Sequence, residues 1–463
     1  MRVAIARYIR TPDNYFFDLF DAAAAGLLNE EGHFAVVAER TGSPDFEEED
    51  LLEGMAAFLE DFAPRLVQLT YLPSQELARR IKEATGAVIM AVGSRLLLQC
   101  PWVDYVLSEP DPIALLELVE VLEGRREPHE VAALWWRDGD GVRTSGKPLH
   151  PMFEVFSRCA IDYESFFRMG PGRPPEVRKH IAADWGCIYR NARGPALPPG
   201  CPADQVRKGG CTFCLRPASD ALDPELRQEM LSVQVDAVLS AFPALQKLIL
   251  IDEHALSYAS DLARLVLTRP LDGVDLLVSG RLDHVARYRG PLETALAMLE
   301  GRNTVRLYQF GIENLADSVL ERYNKGLTFE DIRRACGTIR ELTSAHSNLR
   351  IEPSFGFILF DPWTTLDELR QNVRRAGIID LPGLRGDAPR TSLRLFPETP
   401  LYWKAVHDGL LTGAVDDNDF GYSVESGWKF QHADTAEVFR RLAATPRSID
   451  SWDALGRILA DTM

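Results

Sequence analysis

Short apolar, strand-like runs alternate with helix-spaced segments along most of this chain, and few residues separate them. In the first part, Arg2–Tyr8, Phe34–Ala38, Leu66–Tyr71, Ala87–Val92 and Asp104–Leu107 read as strands. Between them Phe16–Leu28, Asp50–Phe62, Gln75–Thr85 and Pro112–Leu122 carry apolar residues at helical spacing. Strand–helix–strand units with short connections build a parallel sheet covered on both faces. Residues 1–125 are therefore expected to form a doubly wound, Rossmann-like α/β domain.

The pattern breaks over residues 126–178, which read as a linker. Asp138-Gly139-Asp140-Gly141 marks a small hairpin, and Gly170–Pro175 a second turn. Alternation then resumes. Ile181–Ala183, Lys247–Ile251, Asp275–Val278, Thr304–Phe310, Leu349–Phe360 and Ser392–Phe396 read as strands with helices between them. Six such units predict a partial (β/α)6 barrel over residues 179–402, with the chemistry in the loops that follow the strands. Residues 403–463 are expected to be a helical tail.

Composition narrows the class. Apolar residues make up 46% and charged residues 26% of the chain, as in ordinary globular proteins. There are 51 basic and 68 acidic residues, a net charge of −17, which disfavours a broad nucleic-acid surface. No apolar run is long enough to span a membrane, and Met1–Arg7 lacks the features of a signal peptide. A cytoplasmic, reducing setting is expected, where clustered cysteines bind metal or do redox chemistry more often than they form disulfides.

Four of the seven cysteines fall between Cys187 and Cys214. Cys211 and Cys214, two residues apart and preceded by Gly209-Gly210, can present two thiolates to one metal centre. Four thiolates would suit zinc or a saturated iron–sulfur cluster. Three would leave one iron of a four-iron cluster open. A structural zinc ribbon is the plain alternative, but the cysteines follow the first strand of the expected barrel, on the face where active sites form.

Gly186-Cys187 and Cys211-Thr212-Phe213-Cys214 resemble the signature of the radical S-adenosylmethionine superfamily, and the whole chain resembles its cobalamin-binding-domain branch. The resemblance implies a [4Fe-4S] cluster held by Cys187, Cys211 and Cys214, with Phe213 near the adenine of S-adenosylmethionine. The sequence departs from the family in placing 23 residues between Cys187 and Cys211, read here as an insertion. Gly200-Cys201-Pro202 also resembles the family's opening, so Cys201 competes with Cys187, or stands as a fourth ligand or bystander.

Further segments extend the resemblance in order. Leu248–His254 is similar to the second-strand motif, implying that Asp252 and Glu253 receive the methionyl ammonium; a structural acid pair is the alternative. Arg281, after Gly280, would hold the methionyl carboxylate, with a surface ion pair as the alternative. Phe310–Asn314 followed by Asn324-Lys325-Gly326 resembles the family's Gly-Ile-Glu-Ser segment and Asn-Lys-Gly turn, so Glu313 would bind the ribose hydroxyls. Phe355–Pro362 and Leu395–Tyr402 match the fifth- and sixth-strand segments.

The first domain resembles the branch's cobalamin-binding module. Thr70, Ser74, Gly93 and Ser94 are the loop residues implied to meet cobalamin. The family's loop glycines are largely replaced, as in Ser108-Glu109-Pro110-Asp111, and no Asp-x-His-x-x-Gly motif supplies an axial histidine. A vestigial scaffold is the alternative.

The resemblance implies a radical S-adenosylmethionine enzyme that generates a 5′-deoxyadenosyl radical, with cobalamin-dependent methyl transfer to an unactivated carbon of a small molecule or natural-product intermediate. A flavodoxin or ferredoxin would donate the electron. The alternatives are a radical dehydratase, dehydrogenase or cyclase with a vestigial first domain, and a zinc-stabilised scaffold without catalysis. Cys100, Cys159 and Cys336 are expected as buried thiols.

Overall fold

A computed structural model describes the chain except for residues 10–17, 42–47, 71–74, 140, 170–176, 184–185, 191–196, 200, 203–205, 207–208, 217–221, 416–425, 447–448 and 463. It divides into two compact units. The first comprises Met1–Ala183, Leu222–Gln246 and Val415–Glu425; the second comprises Asp184–Ala221, Lys247–Ala414 and Ser426–Met463.

The first unit is built on an eight-stranded sheet. Its strands are β1 (Arg2–Ile9), β2 (Phe34–Thr41), β3 (Leu66–Leu69), β4 (Val88–Val92), β5 (Tyr105–Leu107), β6 (Leu134–Asp138), β7 (Gly141–Thr144) and β8 (Phe166–Met169). The order is β7-β6-β5-β4-β3-β1-β2-β8. β1 pairs in parallel with β2 on one side and β3 on the other, Ile5 standing opposite Val37 and Gln68. Val3, Ala4, Ile5 and Ala6 are all buried, as a central strand covered on both faces requires. The chain leaves β1 in opposite directions, so the β1–β3 boundary is the topological switch point where doubly wound sheets gather polar groups.

Residues 126–178, read from the sequence as a linker, contribute to this sheet. β6 and β7 form an antiparallel hairpin against β5, and β8 pairs in parallel with β2. The hairpin is the one expected at Asp138–Gly141, whereas its docking on β5 and the strand β8 are not visible locally, because those pairings are with distant segments. Helix Asp18–Glu30 packs closely beneath: a Cβ on Gly26 would come 2.0 Å from the Ala160 carbonyl oxygen, so only glycine fits. Strand β9 (Arg178–Ile181) and helix Pro224–Ala241 complete the unit, joined by Gln234, whose amide bonds both the N–H and the C=O of Ala182 at 2.7 Å.

The second unit carries parallel strands β10 (Lys247–Leu250), β11 (Asp275–Val278), β12 (Val305–Leu307) and β14 (Leu349–Ile351), paired in that order. β13 (Gly311–Glu313) and β15 (Gly356–Phe357) form a separate short parallel pair. Helices Ala259–Leu267, Arg289–Leu299, Phe329–Ala345 and Leu366–Ile379 alternate with these strands. Thr328 with Asp331, and Thr365 with Glu368, cap the last two in capping boxes.

Two expected strands are broken. Thr304–Phe310 is interrupted at Gln309, whose φ of 51° leaves the extended region. Leu349–Phe360 splits around Pro353, which cannot donate to a ladder. Ser392–Phe396 is reduced to one bridge between Ser392 and Phe360. The tail is not wholly helical: β16 (Leu411–Val415) and β17 (Ser426–Trp428) pair among helices Pro400–His407, Ala433–Ala443 and Ser451–Asp461. Among the described residues no helix is long and apolar enough to cross a membrane.

Candidate functional site

The site is organised around the turn Tyr323–Gly326 in the second unit. Asn324 (φ 49°) and Gly326 (φ 69°) both take left-handed backbone, which reverses the chain after helix Asp317–Arg322. Arg322 anchors the turn through ion pairs to Asp361 at 2.9 Å and Glu368 at 3.2 Å.

The arm bearing Cys211 and Cys214 lies along this turn. Gly209 (φ 79°) and Gly210 (φ 71°) bend the chain into it. The Thr212 amide donates to the Tyr323 carbonyl and its hydroxyl to the Arg322 carbonyl, both at 2.9 Å. Asn324 Nδ2 donates to the Gly210 carbonyl at 2.7 Å. The Cys214 amide closes back on the Cys211 carbonyl at 3.3 Å, the tight turn expected of the pair. Phe213 packs on Tyr323, ring centroids 5.1 Å apart.

The Cys187 arm reaches the same turn through Tyr189. The Tyr189 hydroxyl donates to the Asn324 carbonyl at 3.0 Å, and its ring lies 3.9 Å from the Arg281 guanidinium carbon. The two arms share a local geometry: the Tyr189 amide donates to Cys187 Sγ and the Arg216 amide to Cys214 Sγ, each at 3.4 Å. Cys201 instead sits in a local turn on the Pro198 carbonyl. Among the described residues no hydrogen bond joins Cys201 to the Tyr323–Gly326 turn.

The other expected residues surround these arms, each with a protein partner. Arg281 pairs with Asp283 at 3.1 Å and donates to the Lys325 carbonyl at 3.0 Å. Lys325, buried, donates to Glu313 Oε1 at 2.8 Å. Glu313 (φ 66°) lies over a glycine floor: a Cβ on Gly311 would come 2.3 Å from its Oε1, and one on Gly356 3.4 Å from its Oε2. Glu253 pairs with Arg216 at 3.2 Å, and Asp252, fully buried, accepts the Tyr258 hydroxyl. Burial pushes the Cys211 thiol up to about 12, opposed by the charges of Lys325 and Arg281. Burial likewise holds His284 down to about 4, Asp283 opposing.

No three His, Cys, Asp or Glu side chains among the described residues stand close enough to hold a metal ion. The donor set nonetheless fits an iron–sulfur cluster in kind: soft thiols are carried on two arms that each contact one turn, and the charges of Lys325 and Arg281 act on Cys211. Cys100, Cys159 and Cys336 are buried.

The cobalamin residues fit less well. Thr70 is buried, its hydroxyl donating to Asp21 at 2.9 Å and accepting from Gln68 at 3.1 Å. Ser94 is buried and its hydroxyl accepts from the Leu96 amide at the start of a short 3₁₀ turn. Gly93 (φ 137°) keeps the bare backbone that a flat ligand needs, and Ser74 lies outside the described residues. The hydroxyls of Thr70 and Ser94 thus both have protein partners.

Motif reading from the sequence did not single out Tyr189 or Arg216, although each follows a cysteine by two residues, a spacing that was there to be read.

No family model and no curated protein matches this chain. Among solved structures it is similar to the radical S-adenosylmethionine methyltransferase TsrM from Kitasatospora setae, with cobalamin and a [4Fe-4S] cluster bound. That likeness covers 100% of this chain and 89% of TsrM at a TM-score of 0.60 and 15% identity. The chain therefore has the α/β fold of that enzyme. A solute-binding protein from Agrobacterium vitis, bound with α-D-tagatopyranose, covers 64% of this chain and 87% of its own at 11% identity and a TM-score of 0.19. One from Actinobacillus succinogenes, with D-allose, covers 64% and 88% at 13% identity and also scores 0.19.

Proposed function

We propose that this chain is a radical S-adenosylmethionine enzyme. The observation that carries the reading is the meeting of the Cys187 arm and the Cys211–Cys214 arm on the Tyr323–Gly326 turn, beside Arg281 and Glu313. Cys187, Cys211 and Cys214 would hold a [4Fe-4S] cluster. The chemistry supplied by such a cluster is one-electron reduction of S-adenosylmethionine, with release of methionine and a 5′-deoxyadenosyl radical that abstracts hydrogen from a substrate carbon. The protein's own part is binding, orientation and exclusion of water.

In this reading Arg281 turns its guanidinium from Asp283 to the methionyl carboxylate. Glu313 keeps one oxygen on Lys325 and offers the other to the ribose diol above the glycine floor. Glu253, and Asp252 from behind it, set the negative field that receives the ammonium. Phe213 supplies an apolar face to the adenine.

Methyl transfer to a small molecule is the reaction class proposed, supported by the shared fold with a methyltransferase. Dehydration, dehydrogenation or cyclisation by the same radical is separated from methylation by product mass. An electron donor of the flavodoxin or ferredoxin class completes the system.

Anaerobic reconstitution with iron and sulfide tests the reading. A cluster of about four irons per chain and release of 5′-deoxyadenosine from S-adenosylmethionine are expected, with both lost in Cys211→Ala and Cys214→Ala. One bound zinc and no iron after anaerobic handling would overturn it. Cobalamin retained through gel filtration, and a product heavier by one methylene unit, would support the methyl-transfer reading.

A further inference from the structure

In the sequence 23 residues separate Cys187 from Cys211. Among the described residues, Asn324 touches both cysteine arms. The Asn324 side chain donates to the Gly210 carbonyl at 2.7 Å, immediately ahead of Cys211. The Asn324 backbone carbonyl accepts the Tyr189 hydroxyl at 3.0 Å, two residues beyond Cys187. Resting on the cluster reading above, we propose that Asn324 and Tyr189 form a clamp that brings the Cys187 arm onto the Cys211–Cys214 arm, and that this clamp selects Cys187 over Cys201 as the third cluster ligand.

Three further features follow from such a clamp. Asn324 holds a left-handed φ of 49°, a conformation that asparagine accepts more readily than most residues, so the position suits a residue with both that backbone and an amide donor. Tyr189 is fixed on its other face by Arg281, whose guanidinium lies over the ring and also donates to the Lys325 carbonyl of the same turn. Gly326 leaves room for the ring: a Cβ there would come 2.2 Å from the Tyr189 hydroxyl oxygen. Tyrosine, asparagine, arginine and glycine are thus mutually fitted at one point, and none is among the proposed cluster ligands. Among the described residues, the hydrogen bond of Cys201 is that of its amide to the Pro198 carbonyl. Asn324 and Tyr189 are positioning residues that act through the cysteines.

The test uses the full chain in two states. The metal-free protein is treated with dibromobimane, which links two neighbouring thiols, and the linked peptides are mapped by mass spectrometry. The same variants are then reconstituted with iron and sulfide, and their bound iron and reduced-cluster electron paramagnetic resonance signal are measured. In the wild type the link joins Cys187 to Cys211 or Cys214. Asn324→Asp places an acceptor against the Gly210 carbonyl, and Tyr189→Leu removes both the hydroxyl and the ring. Each should lower the link yield and weaken cluster retention by about tenfold or more, the usual loss when a residue that orients metal ligands is removed. Tyr189→Phe keeps the Arg281 contact and should fall between these and wild type. Cys201→Ser should retain both link and cluster, and Cys187→Ser should lose both. Melting temperatures identify variants that fail to fold; if Asn324→Asp is one of them, the two Tyr189 variants decide.

Unchanged linking and iron content in Asn324→Asp and Tyr189→Leu would overturn the clamp. So would loss of the cluster in Cys201→Ser with retention in Cys187→Ser. A wild-type chain that links Cys187 to the pair, loses the link in the variants and takes up no iron would leave the clamp standing and overturn the cluster reading instead.

Discussion

Lys325 Nζ stands 2.8 Å from Glu313 Oε1, and both side chains are largely withdrawn from solvent. Burial alone would lower the ammonium's pKa, yet the neighbouring Glu313 carboxylate holds it above its ordinary value. The pair is a charged contact inside the proposed cofactor site, and it fixes one oxygen of the residue expected to bind ribose.

Removing one partner leaves the other charge buried and unmatched. Lys325→Met should therefore destabilise the chain by about 3–5 kcal/mol in urea unfolding, with part of the loss recovered in the double variant Lys325→Met/Glu313→Gln. Glu313→Gln alone should weaken S-adenosylmethionine binding by roughly tenfold in calorimetry, because hydrogen bonds to a charged group are worth more than neutral ones. Equal affinity in wild type and Glu313→Gln would remove Glu313 from the binding site.

Two glycines should be intolerant of alanine for different reasons. At Gly311 an added Cβ would meet the Glu313 carboxylate at 2.3 Å, so Gly311→Ala should impair S-adenosylmethionine binding more than folding. At Gly326 a φ of 69° adds backbone strain to the collision with Tyr189. Gly326→Ala should lower stability by about 1–3 kcal/mol. Parallel thermal melts and binding isotherms distinguish the two patterns.

His284 is buried, and its Nδ1 makes no hydrogen bond among the described residues. Burial holds its pKa down to about 4, so it stays neutral in the fold where an unfolded histidine would charge. Its contribution to stability is therefore present above the unfolded value and is lost as pH falls from about 6.5 towards 4. Thermal melts of His284→Gln should show a shallower acid-side decline over that window than wild type. Identical slopes would contradict the assignment.

In the first unit two carboxylates on one helix diverge. Burial raises Asp18, but Lys179 at 2.8 Å and the hydrogen bond from His180 at 3.0 Å outweigh it and hold the group well below the carboxylate range. Asp21 is raised by burial to about 7 despite Arg7 at 3.3 Å and the Thr70 hydroxyl. A carboxyl band titrating near neutrality in difference infrared spectra should be present in wild type and absent in Asp21→Asn. The sign is opposite to the usual acid case: stability contributed by protonated Asp21 is complete below about pH 4 and declines as pH rises through about 7.

Much of the architecture was legible because it is encoded locally. The strand–helix alternation located β1 to β5 and the four parallel strands of the second unit, since strand and helix periods are properties of neighbouring residues. The same local logic failed where a single residue overrode the pattern, as at Gln309 and Pro353. It failed again over residues 126–178, where β8 finds its parallel partner β2 far earlier in the chain.

The site shows the same division. The chain alone determined the Cys-x2-Cys turn, the two glycines that bend into it, and the order of the segments bearing Asp252, Arg281 and Glu313. Only the tertiary structure decided that Asn324 bonds Gly210 across 114 positions and accepts from Tyr189 across 135. It also decided that Thr70 and Ser94 turn their hydroxyls inward. Residue spacing specifies which groups a turn or helix can present together; which groups then meet across the chain is set by packing, and burial sets what their charges become.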